Sequence, residues 1–371
     1  MDVATEHALA ALREQVVAAN RDRRPLRIAG GGTKHFYGRP PTSASGDPLE
    51  DVEVLDCRAS RGVVSYEPTE LVISARCGTP LAEIAATLAA NRQYLPFEPP
   101  AFGPAATVGG VVAAGLSGPR RMAAGALRDF VLGAALLTAR GEVLRFGGEV
   151  MKNVAGYDVS RLLAGSLGVL GVIAEVSLKV LPLPAAEQTI ALDLGEAEGI
   201  RRCNQWGGQP LPISATLWAG GRLWLRLSGA TAAVGAAAAR LGGEPVAAEQ
   251  ADAMWRAVRE QTHEFFADAP VVWRLSLPCA TPPLELSGRQ LIEWGGALRW
   301  HVPDHDQGSS QTLRDLVARV GGSATLFRTG PRARVARFHP LEEPIKQIHL
   351  RLKQEFDPNR IFNPGRMYDW L

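Results

Sequence analysis

The stretch over residues 101–125 constrains the fold more than any other part of this sequence. It contains six glycines, many alanines and valines, and only two charged residues, Arg120 and Arg121. A segment with so few polar side chains cannot recognise a partner through them, so something must approach its backbone closely. The uncharged run over 99–119 has the length of a bilayer span, but Pro104 and the glycines interrupt any continuous apolar helix, so we expect no membrane span.

Two further glycine sites lie in the same half of the chain. Residues 30–33 read Gly-Gly-Gly-Thr directly after a predicted strand over 26–29, and residues 165–171 read GSLGVLG. Such a loop can turn its N–H groups and a hydroxyl toward a phosphate, although a plain tight turn explains the triple glycine alone equally well. The spacing matches neither a Walker A loop nor the Rossmann pattern. Together with the glycines over 107–118, these sites fit an extended dinucleotide lying along the backbone.

The periodicity of the chain predicts an α+β protein. Apolar spacing predicts a helix over 5–20, and β-branched residues predict strands over 26–29, 52–57, 62–66 and 71–77. Thr79 and Pro80 are a predicted N-cap and first helical residue. A hairpin is expected over 129–139 and 142–146, and a long strand over 169–181. After Pro184 most of the tryptophans appear among alternating strands and helices, which indicates a second α+β unit, and a helix follows over 342–356.

Five segments, taken in order, resemble one known family. They are RIAGGGTKHFYG (27–38), PPAFGPAATVGGVVAAGLSGPRR (99–121), LRDFVLGAALLTARGEVLRFGG (127–148), KNVAGYDVSRLLAGSLGVLGVI (152–173) and FDPNRIFNPGRM (356–367). The set resembles the vanillyl-alcohol oxidase type, or PCMH-type, FAD-binding flavoproteins. Within that family it is most similar to the FAD-binding E subunits of bacterial glycolate oxidases, which are relatives of the D-2-hydroxyacid dehydrogenases. The likeness covers residues 1–184 and 340–371.

The resemblance implies a PCMH-type FAD-binding fold of two α+β subdomains with a smaller α+β cap domain. The FAD-binding domain would cover residues 1–184, with subdomains over 1–57 and 58–184. The cap domain would cover 185–335, and a C-terminal return segment over 336–371 would pack on the FAD-binding domain.

The same resemblance assigns the residues that bind FAD. The pyrophosphate would lie on the first glycine loop, the second site would run past the pyrophosphate and flavin, the third would offer main-chain contacts, and Asn363 of the NPG motif would lie near the isoalloxazine. These residues are Gly30, Gly31, Gly32, Thr33, Lys34, Thr107, Val108, Gly109, Gly110, Gly115, Gly118, Gly168, Gly171, Val172, Ile173 and Asn363. Thr33 stands where some members carry a histidine bonded to the flavin, so we expect non-covalent FAD.

The net charge, the N-terminal residues and the cysteine pattern indicate which partners, cellular location and metal sites to expect. A net charge of +2 on 371 residues argues against nucleic acid, because such binding needs a concentrated basic face. The N-terminal residues carry charges where a signal peptide would be apolar, which predicts a cytoplasmic chain, associated with a membrane only through a complex. The four cysteines are scattered, so we expect no iron–sulfur or zinc site in this chain.

The sequence leaves the catalytic residues of this chain unknown. In the catalytic relatives the resemblance implies a cap motif H-x-G-D-G-N-x-H, and here its nearest imitation is His301-Val-Pro-Asp-His305, where Pro303 would break a helix. We therefore expect no metal site. Tyr157 and Asp158 fit a structural turn better than a catalytic dyad, and the alternative is an unrecognised catalytic site near Tyr157 and Lys152.

Keeping the FAD motifs without that metal motif is typical of an accessory flavoprotein. The resemblance implies two partners, a catalytic FAD subunit that oxidises glycolate, a small 2-hydroxy acid, to glyoxylate and an iron–sulfur subunit that takes the electrons. Two alternatives stay open: a self-sufficient FAD-dependent 2-hydroxyacid dehydrogenase, and a flavin-free scaffold subunit.

Overall fold

A computed structural model describes residues 3–42, 49, 52–148, 158–304, 310–330 and 335–371. The helices are α1 (Val3–Asp22), α2 (Leu81–Ala89), α3 (Val108–Ala114), α4 (Arg121–Ala124), α5 (Val159–Leu162), α6 (Glu196–Gly207), α7 (Thr231–Leu241), α8 (Ala248–Glu260), α9 (Ser310–Arg319) and α10 (Glu343–Phe356). The strands are β1 (Leu26–Ala29), β2 (Glu53–Asp56), β3 (Val63–Glu67), β4 (Val72–Arg76), β5 (Gln93–Tyr94), β6 (Val131–Leu137), β7 (Val143–Gly147), β8 (Val172–Lys179), β9 (Leu181–Pro182), β10 (Ala186–Asp193), β11 (Ile213–Ala219), β12 (Arg222–Gly229), β13 (Glu244–Val246), β14 (Val272–Ser276), β15 (Arg289–Glu293), β16 (Leu298–Val302) and β17 (Ser323–Arg328).

The N-terminal helix covers a small parallel sheet. β1 and β2 pair in parallel, with Leu26 opposite Glu53. Leu12 and Val16 of α1 are buried against Leu26 and Leu55, because the apolar residues of α1 recur at helical spacing and form one face. This packing fixes the end of β1, from which the first glycine loop leaves.

A five-stranded antiparallel sheet forms the second layer, in the order β3-β4-β8-β6-β7. Its central strand β8 is buried along most of its length, and α3 packs against it. The short apolar helix α3 needs no amphipathic pattern, since protein surrounds it and Val111 and Val112 are buried in the core.

The chain after Pro184 builds a separate antiparallel sheet of eight strands in the order β13-β10-β12-β11-β15-β16-β14-β17. Helices α6, α7 and α9 pack on it. One core runs between this sheet and the first half of the chain, where Tyr37 and Leu116 pack with Trp300 and Phe327. The mixed α+β class is therefore confirmed, while the exact domain boundaries stay a prediction.

Four charged side chains join the two halves. Arg120 ion-pairs with Glu98 at 3.4 Å and with Glu187 at 2.6 Å, and Arg226 ion-pairs with Glu98 at 2.9 Å. Glu98 and Arg120 come from the first half, whereas Glu187 and Arg226 belong to β10 and β12. These four side chains are buried or partly buried, so water stabilises their charges only weakly. Each charge is therefore stabilised mainly by the opposite charges beside it.

The C-terminal segment returns to the first half. Lys353 of α10 and Asp357 form an ion pair at 2.7 Å in which both side chains are fully buried. Lys353 Nζ also donates to the carbonyl oxygens of Val169 and Phe362, and Asp357 accepts from the N–H groups of Ile361 and Phe362. The next residue, Asn363, is thereby held beside β1, where its N–H donates to the carbonyl of Leu26.

Three predictions about where helices and strands begin differ from the structure. Thr79 is not an N-cap, because its hydroxyl exchanges hydrogen bonds with the backbone of Gly62 and Pro80 occupies the cap position. The strand predicted from 129 begins at Val131, since residues 127–130 form a turn of 3-10 helix. The strand predicted from 169 begins at Val172, because Gly168 has a φ of +72° and breaks the extended backbone.

Candidate functional site

A glycine-lined groove lies where β1, α3, the loop before β8 and the C-terminal segment meet. It consists of two adjoining cavities of about 620 and 440 Å³. The residues common to both cavities are Ile28, Gly30, Thr107, Gly110, Ala113, Leu167 and Asn363. Segments far apart in the sequence therefore share one elongated site.

The loop after β1 forms the wall of the first cavity. Gly30, Gly31, Gly32, Thr33 and Lys34 all line it, as the sequence predicts. Gly32 has a φ of +76°, which glycine adopts at little cost and which turns the loop. The loop packs directly on the segment before α3, so that a Cβ on Gly30 or Gly31 would overlap protein atoms of that segment.

The second glycine site divides between the groove and the core. Thr107 caps α3 by accepting a hydrogen bond from the N–H of Gly110, and both residues line the two cavities. Gly109 lines the second cavity and donates to the carbonyl of Cys77 at 2.8 Å.

The remaining members of that site contact protein rather than the groove. Val108 is buried in the core. A Cβ on Gly115 would lie 2.7 Å from Gly165, and Gly118 donates to the carbonyl of Phe97. None of these three lines the two cavities, so their predicted contact with FAD stays a prediction.

The third glycine site and the C-terminal segment close the second cavity. Gly168, Gly171, Val172 and Ile173 line it, with Asn363. The amide of Asn363 accepts from the N–H of Ile28 at 2.9 Å and donates to the carbonyl of Leu167 at 2.7 Å. Asn363 thus holds β1 and the loop before β8 in place, a structural role that the sequence does not reveal.

The charge of the groove is positive. Lys34, Arg27 and Arg366 line the first cavity, and no carboxylate is found among the described residues that line either cavity. Burial lowers the pKa of Lys34 to about 8, although Glu260 opposes the shift. Burial, with the charges of Arg27 and Arg337, lowers the pKa of Arg366 to about 10. An anion in this groove would relieve both groups.

Arg366 also shapes the loop, and sequence reasoning missed it. Its guanidinium donates to the carbonyls of Arg39 at 3.1 Å, Lys34 at 3.3 Å and His35 at 3.1 Å. Its place directly after the NPG motif was the available signal. Sequence reasoning also missed the polar lining residues Arg27 and His35 and the lining cysteines Cys57 and Cys77. The remaining missed lining residues are apolar and carry no signal of their own in the sequence: Ile28, Ala113, Ala114 and Leu167.

These features fit a dinucleotide. Backbone N–H groups and cations suit a pyrophosphate, and backbone without side chains lets a planar ring lie close. His35 ring nitrogen lies 3.2 Å from the guanidinium of Arg27, and burial lowers the pKa of His35, so its neutral form is favoured. Non-covalent attachment of FAD stays a prediction.

The other candidate residues lie apart from the groove. His301 is buried in β16, while its predicted companion His305 lies outside the described residues, as do Lys152 and Tyr157. Within the described ranges no cluster of three or more His, Cys, Asp or Glu side chains could hold a metal ion.

Three of the four cysteines are buried, and Cys279 is exposed. No described helix combines the length and the apolar character needed to cross a bilayer.

Comparison with known proteins agrees with this geometry. A family model described as a FAD binding domain matches residues 3–147. Glycolate oxidase subunit GlcE of Escherichia coli (strain K12) is 47% identical over 358 residues, which are 96% of this chain and 97% of GlcE. Glycolate oxidase subunit GlcD of Bacillus subtilis (strain 168) is 29% identical over 45% of this chain and 34% of GlcD.

A solved structure shares the fold. Alkyldihydroxyacetonephosphate synthase superposes with a TM-score of 0.65 over 95% of this chain and 74% of the synthase chain, at 14% identity. That likeness shows the fold alone. The family model matches residues 3–147, and GlcE is 47% identical across nearly its whole length, so the chain belongs to the glycolate oxidase GlcE family of FAD-binding flavoproteins.

Proposed function

We propose that this chain is the FAD-binding subunit of a glycolate oxidase complex, which oxidises glycolate to glyoxylate together with a catalytic FAD subunit and an iron–sulfur subunit. The observation that carries the proposal is the groove built from three glycine sites in a chain similar to GlcE over nearly its full length. We place the complex in the cytoplasm, with any membrane association made through it.

The residues of the groove have distinct parts in this proposal. The N–H groups of residues 30–34 hold the pyrophosphate, and Lys34 and Arg366 balance its charge. Thr107 and Gly110 run past the pyrophosphate at the start of α3. The backbone over 171–173 contacts the part of FAD in the second cavity. Val108, Gly115 and Gly118 support the groove from behind.

The bound flavin would supply an acceptor of two electrons, which can be passed on singly. What this chain contributes is the shape and charge of the groove. Asn363 and Arg366 fix the loops on either side of it, so that the cofactor meets a preformed wall instead of ordering one. The FAD-binding domain over 1–184, the cap domain over 185–335 and the return segment over 336–371 are part of the same proposal.

The test is the visible absorbance spectrum of the purified chain before and after anaerobic glycolate, alone and with the two partner subunits. We expect flavin bands that glycolate does not bleach in the isolated chain and that it bleaches in the complex. A Gly110→Ala variant, expected to bind FAD about tenfold or more weakly, is the control for cofactor content.

Each other outcome contradicts the proposal in its own way. Bleaching in the isolated chain would make it a self-sufficient 2-hydroxyacid dehydrogenase. A chain without flavin bands after incubation with FAD, which still joins the complex, would be a scaffold subunit.

A further inference from the structure

Glu260, the last residue of α8, contacts the backbone of the segment over 101–105, which lies in the first half of the chain. Its carboxylate oxygen Oε2 accepts hydrogen bonds from the N–H groups of Ala101 at 3.0 Å and of Phe102 at 2.8 Å. The other oxygen, Oε1, accepts from Nε of Arg259 at 2.8 Å. One side chain of the second half therefore binds two consecutive N–H groups of the first half.

The position of Glu260 is unfavourable for the helix that carries it. The carbonyl groups at the carboxyl end of an α-helix bear partial negative charge, so an acid in the last turn is repelled. α8 ends at Glu260, and the next residue, Gln261, has a left-handed φ of +55°. The acid at this position is explained by its contacts outside the helix and not by the stability of α8.

The end of α8 is fixed on the eight-stranded sheet. Trp255 is buried, and its Nε1 donates to Oγ1 of Thr189 in β10 at 3.0 Å. The side-chain oxygen of Gln261 accepts from the guanidinium of Arg328 in β17 at 2.9 Å. Glu260 lies between these two contacts along the chain, so its carboxylate has a fixed position.

Packing alone holds the segment over 101–105 only weakly. All five of its residues are half-buried or exposed, and an open cavity of about 1080 Å³ adjoins it. Phe102 has a φ of +54°, a left-handed conformation that a residue with a large side chain keeps only where its surroundings hold it. The hydrogen bonds to Glu260 help to hold it.

The same segment contacts the loop over 30–34 that lines the groove. Lys34 Nζ donates to the carbonyl of Ala101 at 3.1 Å and lies 5.6 Å from the ring centroid of Phe102. The peptide group between Ala101 and Phe102 therefore accepts from the lysine at its carbonyl and donates to Glu260 at its N–H. Hydrogen bonds joined in this way polarise one another, so the two charged side chains are linked through one peptide group.

The charge of Glu260 also acts on Lys34. Burial lowers the pKa of Lys34 to about 8, and the negative charge of Glu260 opposes this shift. The other ionisable groups near the lysine are three arginines and a histidine whose neutral form is favoured: Arg27, Arg259, Arg366 and His35. Of the described residues, Glu260 is the one whose negative charge favours the ammonium form of Lys34.

We propose that Glu260 is a positioning residue of the cofactor site, which holds the backbone of residues 101–102 and, through it, the ammonium group of Lys34. A side chain of the second half thus contributes to FAD binding although it lines neither cavity of the groove. That the ammonium group faces the pyrophosphate rests on the proposed function, whereas the link between Glu260 and Lys34 rests on the peptide group that they share.

The first experiment titrates the FAD-free full-length chain with FAD at several pH values between about 7 and about 9. Glu260→Ala should weaken FAD binding about tenfold at every pH, because residues 101–102 lose their acceptor. Glu260→Gln should bind FAD about as tightly as the wild-type chain at about pH 7, since its amide oxygen can accept from both N–H groups. The matched controls Glu249→Ala and Glu249→Gln, in the exposed first turn of α8, should keep the wild-type affinity.

The second experiment follows Lys34 itself in the FAD-free chain. The rate at which acetic anhydride acetylates Lys34, measured by mass spectrometry at different pH values, reports the fraction of neutral amine. The midpoint should lie at about pH 8 in the wild-type chain. In Glu260→Gln it should fall by about half a pH unit or more, because a neutral amide does not stabilise the ammonium group. A purely structural role of Glu260 would leave the midpoint unchanged, and this comparison holds even if Glu260→Ala does not fold.

Three results would overturn the proposal: wild-type FAD affinity in Glu260→Ala, binding by Glu260→Gln as weak as that by Glu260→Ala at about pH 7, or an unchanged midpoint of Lys34 in Glu260→Gln. With FAD bound by the wild-type chain, each of them would leave the proposed function standing. A wild-type chain that binds no FAD would instead remove the proposed function, while a lowered midpoint in Glu260→Gln would keep the link between Glu260 and Lys34.

Discussion

Gly31 lies so close to Ala105 that a Cβ at position 31 would overlap the carbonyl oxygen of residue 105. The missing side chain therefore lets two loops of the protein touch, rather than making room for a ligand. Gly109 behaves in the same way, because a Cβ there would lie 2.6 Å from the Cβ of Cys77. Both glycines build the groove by bringing backbone against backbone.

Gly31→Ala should lower stability and FAD binding together. Forcing the two loops apart costs about 1–3 kcal/mol, in the range of overpacked sites. The measurement is the free energy of unfolding of the FAD-free chain, followed by a titration with FAD. Wild-type stability in this variant would contradict the close contact.

Gly110→Ala should weaken FAD binding without lowering the stability of the FAD-free chain. A Cβ at position 110 meets only the hydroxyl of Thr107, at 3.3 Å, and the residue lines both cavities. We expect unchanged or slightly raised stability of the FAD-free chain, since alanine favours a helix by about 1 kcal/mol over glycine. FAD affinity should fall about tenfold or more because the methyl group occupies the groove. Gly235→Ala in α7, where nothing lies within 4 Å, should leave FAD binding unchanged.

Lys34 should make FAD binding sensitive to pH. Its pKa of about 8 means that the side chain is charged below that pH and neutral above it. A cation favours the pyrophosphate, so FAD affinity should fall about tenfold as pH rises from about 7 to about 9. Lys34→Gln should bind FAD weakly at both pH values. Lys346→Gln, a change at a half-buried lysine of α10 that pairs with Glu343 outside the groove, should keep the wild-type profile. A flat profile in the wild-type chain would contradict this prediction.

Glu98→Gln should loosen the contact between the two halves. Burial alone would raise the pKa of Glu98, but Arg226 and Arg120 outweigh it and hold that pKa below its usual value. Glu98 therefore contributes stability above the pKa of an unfolded glutamate, and that contribution is lost as pH falls through its lowered pKa. At about pH 7 the variant should be less stable by about 3–5 kcal/mol, because two buried arginines lose a partner.

The pH dependence of stability shows whether the loss in Glu98→Gln comes from the charge of Glu98 or from a general disturbance of the fold. Denaturant unfolding should show that the stability difference between Glu98→Gln and the wild-type chain narrows as pH falls through the lowered pKa of Glu98, because the wild-type carboxylate then becomes protonated. Glu198→Gln, which breaks an exposed pair with Arg201, should change stability little. A difference that stays constant with pH would show that the charge of Glu98 is not responsible.

Lys353→Met should destabilise the chain and weaken FAD binding. Asp357 would keep its backbone hydrogen bonds but lose the only cation that touches it among the described residues, at a cost of about 3–5 kcal/mol. The segment that carries Asn363 would then be held less firmly against the groove. The double variant Lys353→Met/Asp357→Asn should recover part of the stability, because no buried charge is left unpaired. Urea unfolding and FAD titration of both variants test this, and no recovery in the double variant would contradict it.

Much of the cofactor site could be predicted because its chemistry is that of the backbone. Gly30, Thr107 and Gly168 are visible in the sequence as places where side chains are absent or small, and the structure brings them to one groove. Glycine shapes a site by adopting backbone conformations that other residues avoid and by letting other atoms approach the backbone closely. Both effects depend on a few neighbouring residues, so they are visible in the sequence. The sequence could not separate Gly110, which faces the groove, from Gly115, which faces Gly165, because both follow the same local pattern.

The sequence by itself determined the α+β class and the main helices and strands, since periodicity is a local property. The family of FAD-binding proteins followed from the resemblance of five segments to known sequences. Only the tertiary structure decided that Asn363 fastens β1 to the loop before β8 and that Arg121 and Arg274 meet at Trp294. Apart from the contact between Arg274 and Trp294, these contacts join residues more than a hundred positions apart. Their formation depends on how the sheets and helices pack, and side-chain contacts of that range leave no regular spacing along the chain.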